Sequence, residues 1–262
     1  MKVRYLLIGV IVLFIAGVLA SSTYAKIDPK TIVGMWLFDD GNGNVAKDSS
    51  ANKNDGNFVG SPKWVDGKFG KALEFDGSST SVDCGNTDTL DIPTNDPVTM
   101  IAWVKSAVGS TAAWQGIMAK RTTDYSYGIN FINTAFQVYS SSGSGVQGWA
   151  YVLPKGEWVH IAGIMSKNPT ELYVDGELFG GAGKGPGGGA FSRTANLFRI
   201  GASGTIGEVF NGIIDDVGIF NAALSTADIK SIMTKGLGAA TGLTAVESSG
   251  KLATTWATVK AQ

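Results

Sequence analysis

Short runs in which every second residue is apolar recur along this chain, and each ends at Gly, Asn, Asp or Pro. Thr99-Met100-Ile101-Ala102-Trp103-Val104-Lys105 is one, and Trp158-Val159-His160-Ile161-Ala162-Gly163-Ile164 is another. Similar runs surround Phe75, Val82, Ile117, Ile129, Val138 and Ile214. A period of two belongs to strands that lie on a core by one face, and turn residues at short intervals join such strands antiparallel. Leu172-Tyr173-Val174 and Glu177-Leu178-Phe179 flank Asp175-Gly176, a pair suited to the positive φ angles of a tight hairpin. One helix is marked, with Ser225 as N-cap, Asp228 three residues on, Ile229, Ile232 and Met233 on one face, and Gly236 as the stop. The pattern predicts an all-β, two-sheet antiparallel sandwich with one short helix near its C-terminal end.

Charge argues against several partners. The chain carries 21 Lys+Arg against 22 Asp+Glu, with no basic stripe, which excludes nucleic acid and anionic membrane surfaces as expected targets. Lys2 and Arg4 precede an apolar run over residues 6–20, and small residues up to Ala25 offer a cleavage site. This reads as a signal peptide, residues 1–25, followed by a lead over 26–31. The run is shorter than the ~20 residues a spanning helix needs, so no membrane span is expected after cleavage. The expected location is secreted, or the periplasm or cell envelope. Cys84 is the one cysteine, so no internal disulfide forms, and it reads as a small buried apolar residue.

Residues 34–58 combine a short strand with an oxygen-rich loop. Asp39, Asp48, Asn52 and Asn54 offer oxygens of the kind a hard cation collects, and Asp215, set among Ile and Val on a late strand, needs a partner. A structural Ca2+ held by these five residues is one expectation. An Asn/Asp loop closed by its own side-chain-to-backbone bonds is the other. His160, the one histidine, sits in apolar company without a Gly-x-Ser-x-Gly elbow, so no triad is expected. The glycine-rich stretch over 180–189 lacks the Ser or Thr and the following helix of a phosphate loop. No catalytic residue is assigned. Trp114, Tyr125, Trp149 and Tyr151 fall in or beside loops, and with Arg121 they are the candidates for stacking and hydrogen bonding to a ligand.

Seven segments, GMWLFDD, DSSANKNDG, KFGKALEFDG, VTMIAWVKS, EWVHIAG, LYVDGELFG and NGIIDDVGIFNAALS, run in an order that resembles the laminin-G-like, concanavalin A-like jelly-roll domains of exported bacterial proteins. The resemblance covers residues 32–236, leaving 237–262 as a C-terminal tail without an assigned role. It implies a jelly roll, a non-catalytic binding role, and often one structural calcium near Asp39, the 48–54 loop and Asp215. Ala51 and Lys53 depart from the family's glycines, and Lys53 sets a positive charge beside the expected ion. Glu74-Phe75-Asp76-Gly77-Ser78-Ser79 partly resembles the E-x-D-x-x-E strand of sandwich-fold glucanases. Ser79 stands where the acid should be, and a retaining mechanism needs two carboxyl groups. The expectation is therefore a binding module for carbohydrate or a glycosylated surface. An adhesion module that meets an envelope protein is the alternative, and a glycoside hydrolase the third reading.

Overall fold

The computed structural model describes residues 27–92, 96–111, 113–121, 125–133, 135–140, 147–165, 169–181, 195–204 and 208–243. The expected signal peptide and residues 244–262 of the expected tail lie outside them. The strands are β1 (Ile32–Trp36), β2 (Val45–Ala46), β3 (Gly56–Val59), β4 (Lys63–Asp66), β5 (Lys71–Asp76), β6 (Ser81–Asp83), β7 (Val98–Ser106) and β8 (Gln115–Arg121). They continue with β9 (Tyr125–Ile132), β10 (Ala135–Ser140), β11 (Gln147–Ala150), β12 (Trp158–Met165), β13 (Glu171–Val174), β14 (Glu177–Leu178), β15 (Phe198–Ile200) and β16 (Asn211–Phe220). Two antiparallel sheets result, so the expected sandwich is the observed one. The first runs β14-β13-β12-β7-β16-β5-β4, with β1 added on β16; the second runs β11-β10-β9-β8-β15-β6-β3-β2.

The alternating residues meet between the sheets. Met100, Ala102 and Val104 of β7 and Val159 and Ile161 of β12 face Ile129 and Phe131 of β9 and Phe136 and Val138 of β10 in one continuous core. Trp36 joins it, stacked on Phe198 at 5.4 Å, with its indole N–H donating to the Asn54 carbonyl. Cys84 is buried in the same core, and burial holds its thiol well above its ordinary pKa. Part of the outer face of the first sheet is apolar as well. Ile101, Ala162, Ile164, Tyr173 and Phe220 are covered there by α1 (Thr226–Lys235) and α2 (Leu237–Thr241).

Helix α1 starts as the sequence predicts: the Ser225 hydroxyl accepts from Asp228 N, and the Asp228 carboxylate accepts from Ser225 N. Gly236 ends it at φ 84°. The chain does not loosen there. Leu237 is fully buried and opens α2, whose last residue Thr241 is buried too, so the packed structure runs seven residues past the expected boundary, through Leu243. The β13–β14 hairpin turns on Asp175 and Gly176 at φ 48° and 77°, the positive angles its sequence calls for.

Strand β16 is the hinge of the topology. Residues 211–214 pair with β5, residues 217–220 pair with β1, and β7 lies along its other side throughout. The change of neighbour falls at Asp215 and Asp216, where the register with β7 shifts and Asp216 adopts φ 49°. A bulge of this kind leaves backbone groups without ladder partners.

Candidate functional site

The oxygen-rich loop comes first. Asp48 is fully buried, and its carboxylate accepts from Met35 N (2.9 Å), Ser50 N (2.8 Å), the Ser50 hydroxyl (2.8 Å) and Asn54 N (2.7 Å). The Asn52 amide donates to the Ile32 and Val33 carbonyls. The Asn54 amide donates to Val33 O, and its oxygen accepts from the Thr87 and Thr89 hydroxyls. Asp39 and Asp215 serve a different place, the turn before β5. Asp39 accepts from Lys71 N, while Asp215 accepts from Lys68 N, Phe69 N and Asp216 N. Asp216 accepts from Leu237 N at 2.7 Å. Gly67 and Gly70 make this approach possible, because a Cβ on either would collide with the Asp215 or Asp39 carboxylate.

The five residues expected to share a calcium ion are thus divided between two places. Their carboxylates are bonded to N–H or O–H donors, whose positive ends a cation would have to replace. Among the described residues no three His, Cys, Asp or Glu side chains are grouped so as to hold a metal. The donor set does not fit calcium, and the closure is made by side-chain-to-backbone bonds. Burial and the neighbouring Asp216 raise the Asp215 carboxyl to about 8, and burial raises Asp216 to about 7.

The candidate ligand residues part company. Trp114 and Arg121 come together, the guanidinium 5.8 Å from the indole ring, and Arg121 also donates to Glu208 at 2.8 Å and to the Ser203 hydroxyl. Trp149 is in the inter-sheet core with 1% of its surface exposed, because β11 alternation turns it inward. Tyr151 is half-buried, stacked on Phe136 at 5.3 Å and edge-on to Phe179. The side chain of Tyr125 lies outside the described residues.

The second sheet carries an arrangement that these candidates missed. Tyr127, Ile129 and Phe131 of β9 and Phe136 and Val138 of β10 point into the core, so alternation sends Gly128, Asn130, Gln137 and Tyr139 to the outer face. Register sets Gly116, Asn130, Gln137 and Gly148 in one row across β8 to β11. At the Gly116 end the backbone of Ala202 and Ser203 lies so close that a Cβ on Gly116 would overlap it. At the other end Gly148 is exposed. Between them Asn130 is fully buried and Gln137 half-buried, while the Tyr139 phenol lies across Gly128. Neither Nδ2 nor Oδ1 of Asn130, nor Oε1 of Gln137, has a hydrogen-bond partner among the described residues. A buried amide without partners costs ~1–3 kcal/mol. The row therefore runs from a buried, polar end at Gly116 and Asn130 to an exposed end at Gly148. The signal in the sequence was the turn at Asn133, whose register pairs Asn130 with Gln137.

On the first sheet, a cleft of about 230 Å³ holds Lys63, Glu74, Asp76 and Asn211. Asp76 accepts from the backbone N–H of Ser78, Ser79 and Thr80 and from two hydroxyls, and these bonds hold its carboxyl well below the usual range. Glu74 is left as the other carboxylate of that cleft. His160 is fully buried against Trp103, and desolvation lowers its pKa to about 3.

Two antiparallel sheets packed over one continuous core define a β-sandwich of the concanavalin A-like type. The chain belongs to the concanavalin A-like lectin/glucanases superfamily, which it matches over residues 76–230. Its fold is shared with domain 4 of AbnA, an extracellular arabinanase from Geobacillus stearothermophilus solved with arabinotriose. That domain is 20% identical with a TM-score of 0.58, and the alignment covers 78% of this chain and 98% of that one. The binding domain of Paraclostridial Mosquitocidal Protein 1 is 12% identical at TM-score 0.62, covering 78% and 52% of the two chains. Trypanosoma rangeli sialidase is 16% identical at 0.55, covering 78% and 33%, so this chain spans about a third of that enzyme. No curated protein matches the sequence.

Proposed function

We propose that the chain is an exported, non-catalytic module that binds the hydroxyl groups of a glycan along the Asn130, Gln137 and Gly148 row on the outer face of the second sheet. Asn130 carries this reading. A buried amide with neither polar atom partnered among the described residues is an expense in the free protein, and it is relieved when a ligand reaching it supplies a donor and an acceptor together. Sugar hydroxyls do both at once. Gln137 extends the same chemistry toward the exposed end, where Gly148 carries no side chain. The arabinotriose complex of the AbnA domain supports a sugar as the ligand class. The leader over residues 1–25 supports export. Non-catalysis is supported by Asp76, whose oxygens serve its own turn and leave Glu74 without a second acid.

Affinity electrophoresis against arabinan, xylan and β-glucan tests the reading. Wild type is expected to be retarded by at least one of them without releasing reducing ends. Asn130→Ala is expected to bind at least tenfold more weakly while melting at the same temperature or higher. Retardation by none of the three, or unchanged binding by Asn130→Ala, overturns it.

A further inference from the structure

The outer face of the first sheet is only partly covered by α1 and α2. Beyond the helices, the same alternation that sets Ile101, Ala162 and Ile164 under them places Trp103 and Lys105 of β7 and Trp158 and His160 of β12 on that face. Register makes these four a cross-strand quartet, His160 opposite Trp103 and Trp158 opposite Lys105. The two indoles stand perpendicular with centroids 6.5 Å apart, and His160 lies 5.0 Å from Trp103. Lys68 sets its ammonium 4.3 Å over the Trp103 ring, and the Lys105 ammonium is 6.0 Å from Trp158.

Two observations point to a ligand. Neither Lys68 nor Lys105 makes an ion pair among the described residues, so two ammonium groups rest on aromatic faces with no anion between them. Beneath them, Trp103 Nε1 and both ring nitrogens of His160 are buried without hydrogen-bond partners among the described residues. The nearby carboxylates are turned away: Asp215 accepts from the backbone of Lys68 and Phe69, and Asp175 accepts from His160 N. Glu74 lies one strand beyond Lys105, across Ile213.

We infer that this patch is a second ligand surface, distinct from the Asn130 row on the opposite sheet, and that it takes a uronic-acid glycan. Its carboxylate sits between Lys68 and Lys105, and its ring stacks on half-exposed Trp158. The carboxylate of a uronate is fixed directly to the sugar ring, so stacking and ion pairing are satisfied by one residue of the polymer. Cation–π contacts already hold the lysines at the indoles, and an ion pair formed there is shielded on its aromatic side.

Titration of intrinsic tryptophan fluorescence with oligogalacturonate, and with the neutral galactose oligomer as control, tests the inference. Wild type is expected to respond to the acidic oligomer and at least tenfold less to the neutral one. Lys68→Gln/Lys105→Gln is expected to lose at least tenfold in affinity. Trp158→Ala, which leaves the charge unchanged, is expected to lose a comparable factor, read by affinity electrophoresis on polygalacturonate. Asn130→Ala is expected to bind the acidic oligomer as wild type does, which separates this surface from the polar row of the second sheet. Thermal melts establish that each variant is folded. No response to oligogalacturonate, a response to dextran sulfate alone, or wild-type affinity in the lysine and tryptophan variants overturns it.

Discussion

Asp48 shows how one side chain can be read two ways from sequence and only one way in place. A carboxylate among Asn and Ser is equally suited to a cation and to converging N–H groups, and spacing alone does not separate them. The hint was Ser50, two residues on, the position that closes a turn onto an Asp side chain. Removing this carboxylate strands three buried backbone N–H groups, those of Met35, Ser50 and Asn54. Asp48→Ala is therefore expected to destabilise the fold by more than ~3 kcal/mol in urea denaturation. EDTA is expected to leave the melting temperature of the wild type unchanged, whereas a bound ion at a hundred times its dissociation constant would contribute ~2.7 kcal/mol. Asn130 was hidden for the opposite reason. In the sequence it is an ordinary polar residue at an outward position, and nothing local marks it as buried; Ala202 and Ser203, distant along the chain, lie against its register partner Gly116.

Elements written in local chemistry were legible. The capping box of α1 and the Asp175-Gly176 turn are both as the residues demand, and Ser225→Ala is expected to cost ~1 kcal/mol, measured as a lower urea midpoint. Helix α2 was not legible, because Gly238, Ala239 and Ala240 carry little pattern. Its support comes from elsewhere: Leu237 fills the second core, and its N–H is taken by Asp216, 21 residues earlier. An N-terminal cap supplied across the fold leaves no mark in the neighbouring sequence. Asp216→Ala is accordingly expected to open the segment after Gly236 to limited proteolysis before the rest of the domain melts.

At the scale of the molecule, three buried groups shape the response to pH. Asp215 and Asp216 have folded pKa values raised to about 8 and about 7, so the folded state binds more protons than the unfolded one from about pH 4 upward. Their contribution to stability falls as pH rises through that window. His160, lowered to about 3, acts in the other direction: below its unfolded value near 6.5 the unfolded chain takes the proton, and stability falls as pH falls. Between pH 6.5 and 8 only the carboxylates act, so the melting temperature is expected to drop across that interval. The drop should be smaller in Asp215→Asn, while His160→Phe should flatten the acid side alone. The strand that carries both carboxylates also sets when the first sheet can close. As the last strand among the described residues and a central one in its sheet, β16 completes the hydrogen bonding of β1, β5 and β7 together. Until the ribosome has passed residue 220, each of those three strands keeps an open edge, so the first sheet cannot close, whatever the second sheet has already formed.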